Sequence, residues 1–185
     1  VQRLKEFPMA EKGTAAALIE VARKELGTIE GPKDNETKYG AFTKANFLPW
    51  CGSYVMWCAA QAGVKVPNTV STVAGAAAFK KMGTWFEADC GQSPQPGDIL
   101  YFDFPGDGVD RISHVGICAG IEADGVVIAL EGNTSSKKSG SQRNGGEVCE
   151  QTRAYKENKK KVMVSIVGWG RPNYVGNEVQ AEVPV

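Results

Sequence analysis

The sequence predicts an α+β fold, with helices first along the chain and an antiparallel sheet after them. In the first part of the chain, apolar residues recur at the i, i+3, i+4 and i+7 spacing of one helical face. From residue 96 onward, short apolar runs alternate with turns rich in glycine, proline and aspartate. A helical region followed by a strand region is typical of the α+β class.

Three helices are predicted in the first half of the chain. The first has Thr14 as its N-cap, and Gly27 lies just beyond its C-terminus. The second begins after Pro49 and is apolar on most of its faces, so we place it in the interior. The residues between these two helices are mostly polar and predict a surface loop that includes about one helical turn. The predicted helices span 14–26, about 50–62 and about 73–82, and the loop spans 28–48.

The second half of the chain predicts strands. A Pro-Gly-Asp turn at 96–98 precedes the first of them, and a turn near Asp124-Gly125 separates two longer runs. A segment rich in Ser, Lys, Gly and Asn at 134–146 predicts an exposed loop. The predicted strands cover 99–102, 112–121, 126–130, 147–153 and 162–169.

Length and charge limit the classes of function. A chain of 185 residues fits one domain. Its 21 Lys and Arg residues balance 21 Asp and Glu residues, so charge gives no reason to expect nucleic acid or an anionic membrane as a partner. No apolar run approaches the roughly 18 residues that would predict membrane insertion. The sequence lacks the apolar segment of a secretory signal near its start, and we expect a monomer made in the cytoplasm without a signal peptide.

Five cysteines stand at 51, 58, 90, 118 and 149. The odd number leaves at least one thiol free, and no Cys-x-x-Cys pair indicates zinc or a redox dithiol. We expect reduced cysteines, most of them structural and one of them reactive.

Cys51 is the most informative position for chemistry. It stands in Leu-Pro-Trp-Cys-Gly-Ser, at the start of the predicted second helix. The unpaired N–H groups and the positive dipole end of a helix N-terminus favour an anion and can lower a cysteine pKa to about 3.5–7.5. We expect Gly52 to leave space for a substrate. Taken alone, Cys51 fits a buried structural thiol equally well.

His114 is the only histidine in the chain, so any imidazole chemistry depends on it. It lies near the start of a predicted strand, a position that holds the ring rigidly, and we expect Gly116 to keep the surface beside it open. A thiol and an imidazole within hydrogen-bond reach form the ion-pair nucleophile of cysteine hydrolases. A histidine with a purely structural place in the protein is the alternative.

Glu131 directly follows the apolar run of the strand after that of His114. In an antiparallel pair the start of one strand lies beside the end of the next, so the two residues are predicted neighbours. A strict two-residue turn at Asp124-Gly125 would place Glu131 opposite Cys118 instead, and we therefore expect a longer turn or a bulge. Such a carboxylate would orient the imidazole. A carboxylate that merely faces water is the alternative.

Four short segments resemble the CHAP family of peptidoglycan amidases and endopeptidases. They occur in the family's order, and the similarity is greatest to the catalytic domain of a bacteriophage endolysin. The resemblance covers residues 14–174, which leaves 1–13 as an N-terminal extension and 175–185 as a tail or linker. The segments are Pro-Trp-Cys-Gly-Ser-Tyr-Val, Pro-Gly-Asp-Ile-Leu-Tyr-Phe, Ile-Ser-His-Val-Gly-Ile and Glu-Gly-Asn-Thr.

The resemblance implies a papain-like α+β fold with N-terminal helices packed on a small antiparallel β-sheet. By position it makes Cys51 the nucleophile, His114 the general base and then general acid, and Glu131 the orienting group. Asn133 matches a family position that supports the site. The implied reaction is cleavage of amide bonds in peptidoglycan, carried out at the bacterial cell wall.

A metal is not expected. Some members of the family bind calcium through acidic residues shortly before the nucleophile, but the stretch 41–50 contains no Asp or Glu. Asp34, Asn35 and Glu36 are the nearest possible oxygen ligands. We therefore predict neither a metal nor a cofactor.

Two other functions are compatible with the sequence. The first is a papain-like cysteine protease or amidase that acts on a substrate outside the cell wall, because fold alone does not define function. The second is an inactive wall-binding module. The presence of all four motif residues argues against the second.

Overall fold

A computed structural model of the protein describes residues 10–137 and 140–176. Most of the predicted N-terminal extension and of the predicted tail lies outside these ranges. Over the part of the chain described, no helix has the length and apolar character needed to cross a membrane.

From residue 10 onward, the helical half contains four helices. Thr14 caps the first, since its hydroxyl accepts a hydrogen bond from the amide of Ala17 at 3.1 Å. The third ends at Gly63, which has the left-handed conformation that glycine adopts readily. The three predicted helices are confirmed, and a short helix lies within the predicted 28–48 loop. The helices are α1 (Ala15–Lys24), α2 (Lys38–Thr43), α3 (Cys51–Ala62) and α4 (Thr72–Met82).

Over the described ranges the strands form one six-stranded antiparallel sheet, so the α+β prediction is confirmed. Every predicted strand is present, and β1 is an additional short strand. The spatial order is β1-β6-β2-β3-β4-β5, which places the sixth strand along the chain between the first two. The strands are β1 (Trp85–Glu87), β2 (Ile99–Phe102), β3 (His114–Ala123), β4 (Val126–Thr134), β5 (Glu147–Ala154) and β6 (Ile166–Gly170).

Helix α3 occupies the centre of the domain. It packs against α1 and α2 on one side and against β3 and β4 on the other. Most of its residues are buried, as its nearly continuous apolar sequence predicts. Burial on several faces fixes the position of the helix, and therefore fixes the N-terminal end that carries Cys51. The side chains of Trp50, Tyr54, Val55 and Cys58 are fully buried in this core.

The hairpin of β3 and β4 contains two β-bulges that set the position of Glu131. A two-residue turn at Asp124-Gly125 closes the hairpin, and the register then shifts twice. The shifts bring Glu131 level with Gly116 instead of Cys118. Because side chains alternate across a strand, this register places Glu131 on the same face of the sheet as His114. The expected bulge is therefore confirmed. The pairs that define the register are Ala123–Val126, Cys118–Ala129 and Ile117–Leu130.

Candidate active site

Cys51 is the first residue of α3 and is almost completely buried, with 3% of its surface exposed. Trp50 occupies the N-cap position and makes no side-chain hydrogen bond to the first turn. The first amide groups of the helix therefore have no side-chain acceptor from the cap. An anion at the Cys51 position would meet both these N–H groups and the positive end of the helix dipole.

Gly52 does not open the site to a substrate, and this expectation is wrong. A Cβ atom at residue 52 would come within 1.9 Å of the carbonyl oxygen of Thr69 and 2.9 Å of Val70 Cα. The glycine is required because the backbone of the segment after α3 passes directly against the helix. Gly52 thus allows the Thr69–Val70 backbone to pack against the first turn of α3, next to Cys51.

His114 is the first residue of β3, and its side chain is fully buried. Its ring lies beside Phe102 and Phe104, with centroid separations of 5.5 and 5.7 Å. Phe102 pairs directly with His114 across β2 and β3. Two aromatic rings and a strand backbone therefore restrict the orientation of the imidazole.

The two ring nitrogens of His114 have different surroundings. Nε2 donates a hydrogen bond to Glu131 Oε2 at 3.0 Å, and both side chains are fully buried. Nδ1 is also buried and has no hydrogen-bond partner among residues 10–137 and 140–176. Since buried polar atoms are nearly always paired, an unpaired one calls for an explanation. Nδ1 is the nitrogen available to the thiol of Cys51.

Arg153 on β5 completes the site and was not identified from the sequence. Its Nε donates to Glu131 Oε1 and its Nη2 to Glu131 Oε2, both at 2.7 Å. Only 9% of the Arg153 side chain is exposed. A buried carboxylate requires a cationic partner, and Arg153 is the one basic residue of the strand beside Glu131. Arg153 could therefore have been identified from the sequence as the basic residue that a buried Glu131 would need.

The charges of the site favour an ionised histidine and an ionised glutamate. Burial alone would lower the pKa of His114, but its interactions with Cys51 and with the Glu131 carboxylate outweigh burial and raise the pKa to about 9. Burial would likewise raise the pKa of Glu131, but Arg153 and His114 hold it below its usual value. Cys149, which pairs with Glu131 across β4 and β5, stays a neutral thiol because burial raises its pKa to about 11.

Gly116 does not keep an open surface beside His114, so this expectation is also wrong. A Cβ atom at residue 116 would lie 2.8 Å from Glu131 Cγ and 3.1 Å from the carbonyl oxygen of Leu130. The missing side chain makes room for Glu131. Gly116 is thus part of the arrangement that brings the carboxylate to the imidazole.

Asn133 has a supporting position at the end of β4. It is fully buried and has a left-handed backbone, with φ of 57°. Its Nδ2 donates to Asn144 Oδ1 at 2.9 Å and to Asn35 Oδ1 at 3.3 Å, and its Oδ1 accepts from the amide of Gly146 at 3.1 Å. These contacts attach two loops to β4, and none of them is to Cys51, His114 or Glu131. A role for Asn133 in catalysis stays a prediction.

The residues that the structure describes contain no cluster of metal ligands. Over the two described ranges, no three His, Cys, Asp or Glu side chains converge as metal ligands. Asp34 accepts a hydrogen bond from Asn35 Nδ2 at 2.9 Å, and Asn35 in turn accepts from Asn133. These oxygen atoms already have partners within the protein.

The fold and this site define a class of protein. A helix that begins with a cysteine, packed against an antiparallel sheet that supplies a histidine and a carboxylate, is the arrangement of the papain-like α+β proteins. Residues 43–133 match the family model of the CHAP domain. This segment is therefore identified as a CHAP domain, and the CHAP family is one of peptidoglycan hydrolases. No curated protein matches the chain.

The matched segment contains Cys51, His114, Glu131 and Asn133 and ends at the last of these. It does not reach β5. Arg153, which binds both oxygens of Glu131, therefore lies outside the part of the chain that the family comparison covers.

Proposed function

We propose that the protein is a peptidoglycan hydrolase that cleaves amide bonds of the bacterial cell wall with Cys51 as nucleophile. The proposal depends above all on one observation. Among the described residues, the buried His114–Glu131 pair leaves His114 Nδ1 without a hydrogen-bond partner, and Cys51, at a helix N-terminus without a side-chain cap, interacts with the same imidazole.

The first half of the reaction forms an acyl-enzyme. His114 Nδ1 takes the proton of the Cys51 thiol, and the thiolate attacks the carbonyl carbon of the amide. The negative charge that develops on the carbonyl oxygen meets the N–H groups at the start of α3, and each such donor is typically worth about 3–4 kcal/mol. The His114 imidazolium then gives its Nδ1 proton to the leaving amine as the C–N bond breaks.

The second half releases the product. His114 takes a proton from water, and the resulting hydroxide attacks the thioester carbonyl. The C–S bond breaks, the Cys51 thiolate takes back the proton held by the His114 imidazolium, and the product leaves as a carboxylic acid that ionises in solution. Glu131 stabilises the imidazolium in both halves, because it accepts the Nε2–H bond throughout. Asn133 supports the end of the β4 strand that carries Glu131.

The substrate follows from the family. Peptidoglycan offers two classes of amide bond, the link between the glycan and the stem peptide and the peptide bonds of the stem or cross-bridge. The resemblance to endolysins further suggests a monomeric enzyme of phage origin that acts at the wall.

The test is digestion of purified Gram-positive peptidoglycan, with mass spectrometry of the released fragments. Cys51→Ser should abolish the products, whereas the same change at the exposed Cys90 should not alter them. Free lactyl carboxylates on the sugar would identify an amidase. Split peptides with intact sugar links would identify an endopeptidase.

The same assay separates the alternatives. Digestion of casein without any product from several wall types would favour a protease with another substrate. Tight binding to walls without products, and a Cys51 that resists a thiol-alkylating reagent, would favour an inactive wall-binding module.

A further inference from the structure

We propose that Arg153 is a positioning residue of the hydrolase, one that keeps the Glu131 carboxylate ionised and correctly oriented behind His114. The inference rests on the proposed function, because it concerns the residue that orients the general base. It adds a fourth side chain to the line formed by Cys51, His114 and Glu131.

The geometry is that of a bidentate pair. Arg153 engages both oxygens of Glu131 at 2.7 Å, and Glu131 Oε2 also accepts from His114. The fork fixes the plane of the carboxylate, since each oxygen has its own N–H donor. The direction of Oε2 towards the imidazole is therefore set by Arg153.

Burial makes the positive charge of Arg153 necessary. Glu131 is fully buried, and a buried carboxylate without a cation tends to take up a proton. A neutral Glu131 could no longer stabilise an imidazolium. The titratable groups that face Glu131 are His114 on β3, Arg153 and Cys149 on β5, and, beyond the imidazole, Cys51 on α3. Arg153 is the only permanent cation among them.

Arg153 is itself held firmly. Its guanidinium lies over Phe104 at 5.0 Å and over Phe102 at 5.7 Å, the two rings that also flank His114. Its Nη2 donates to Gln142 Oε1 at 3.0 Å. Because two rings and a loop amide restrain the Arg153 side chain, its hydrogen bonds also restrain the orientation of the Glu131 carboxylate.

A second bidentate pair, between the residue before β2 and the residue after β6, provides a control. Arg171 donates from Nε and Nη2 to the two oxygens of Asp98, both at 2.8 Å, and its guanidinium lies 4.5 Å from the centre of the Phe86 ring. This pair has the same geometry and includes a nearly fully buried carboxylate. Loss of Arg171 therefore removes a bidentate arginine from a buried carboxylate without touching Glu131.

The experiment is a pH titration of the single histidine by NMR, together with the pH profile of wall hydrolysis. The His114 ring signals respond to protonation of the adjacent Glu131 as well as to that of the ring. In the wild type, we expect the Glu131 step below pH 4.5, its ordinary value. In Arg153→Met we expect this step, and the acid limb of kcat/KM, to move up by about 1–3 pH units. Arg153→Lys should restore most of the acid limb, and Arg171→Met should not move it.

Two results would overturn the proposal. One is a Glu131 step at or above pH 4.5 in the wild type, a measurement that needs no variant to fold. The other is an Arg153→Met protein in which both the step and the acid limb match those of the wild type. The NMR titration requires no turnover. A wild type that fails to cut peptidoglycan would therefore count against the proposed function, while the titration would still show whether Arg153 sets the protonation of Glu131.

Discussion

Glu131 Cγ lies only 2.8 Å from the point at which a Cβ atom on residue 116 would stand. The bulged register of β3 and β4 creates this contact, since it brings Glu131 level with Gly116. The position of the carboxylate therefore depends on a glycine two residues after His114.

Replacing Gly116 by alanine should displace Glu131 and lower wall hydrolysis by roughly 10- to 100-fold, because small errors in the placement of catalytic groups have effects of this size. The measurement is kcat/KM on peptidoglycan, with circular dichroism to check the fold. Gly120→Ala on the same strand is the matched control, because a Cβ atom at residue 120 would meet no neighbouring atom within 4 Å. An active Gly116→Ala enzyme would show that the site tolerates a displaced Glu131.

Activity should fall above about pH 9. The pKa of His114 is raised to about 9, so the imidazolium that protonates the leaving amine is present below this pH and lost above it. The raised pKa also stabilises the folded state, fully below the unfolded value of about 6.5 and progressively less as pH rises through 9. The profile of kcat/KM should therefore be recorded together with thermal unfolding at each pH. A limb at pH 7 in a folded protein would contradict the charge arrangement described here.

Glu131→Gln should be more damaging than its small change in shape suggests. It removes the charge that stabilises the imidazolium and leaves Arg153 buried without a counter-charge. We expect a loss of activity of at least about 100-fold and a loss of roughly 3–5 kcal/mol in the free energy of unfolding. Denaturant unfolding and wall hydrolysis measure the two effects separately. Asp98→Asn, which breaks the other bidentate pair, should reduce stability while the activity of the folded fraction is retained.

Asn133 can be tested with two variants that separate its backbone from its side chain. Asn133→Gly keeps the left-handed conformation and removes the three hydrogen bonds, and we expect a loss of about 1–3 kcal/mol in unfolding free energy. Asn133→Ala should cost about 1–2 kcal/mol more, because alanine adopts a positive φ with difficulty. Chemical denaturation of both variants is the measurement. Equal stability of the two would show that the backbone relaxes at this position.

The sequence predicted the fold class and the neighbouring positions of His114 and Glu131, because those predictions depend on local patterns. Alternating apolar runs define strands, and consecutive antiparallel strands are adjacent in space. The predictions for Gly52 and Gly116 failed for a different reason. Each glycine has a neighbour from another part of the chain, the Thr69 backbone in one case and the Glu131 side chain in the other. Local sequence does not show which partner a missing side chain makes room for.

Arg153 was missed for a related reason. Its Cα pairs with Val127, and only the length of its side chain brings the guanidinium to Glu131. A strand pattern shows which residues are adjacent, but it does not show how far along the sheet a flexible cation extends. The need of a buried carboxylate for a counter-charge would have restricted the search to the few basic residues in neighbouring strands.

The position of β6 between β1 and β2 has a consequence for how the protein is made. Residues 166–170 leave the ribosome after the other five strands of this sheet, yet they pair with both of the strands that precede the His114 strand along the chain. Until they arrive, β2 has an unpaired edge and the sheet is split between β1 and β2. Such long-range pairing slows folding. A nascent chain would therefore carry Cys51 and His114 for some time before the sheet that holds His114 is complete. The proposed wall-degrading activity would then require synthesis to pass the sixth strand.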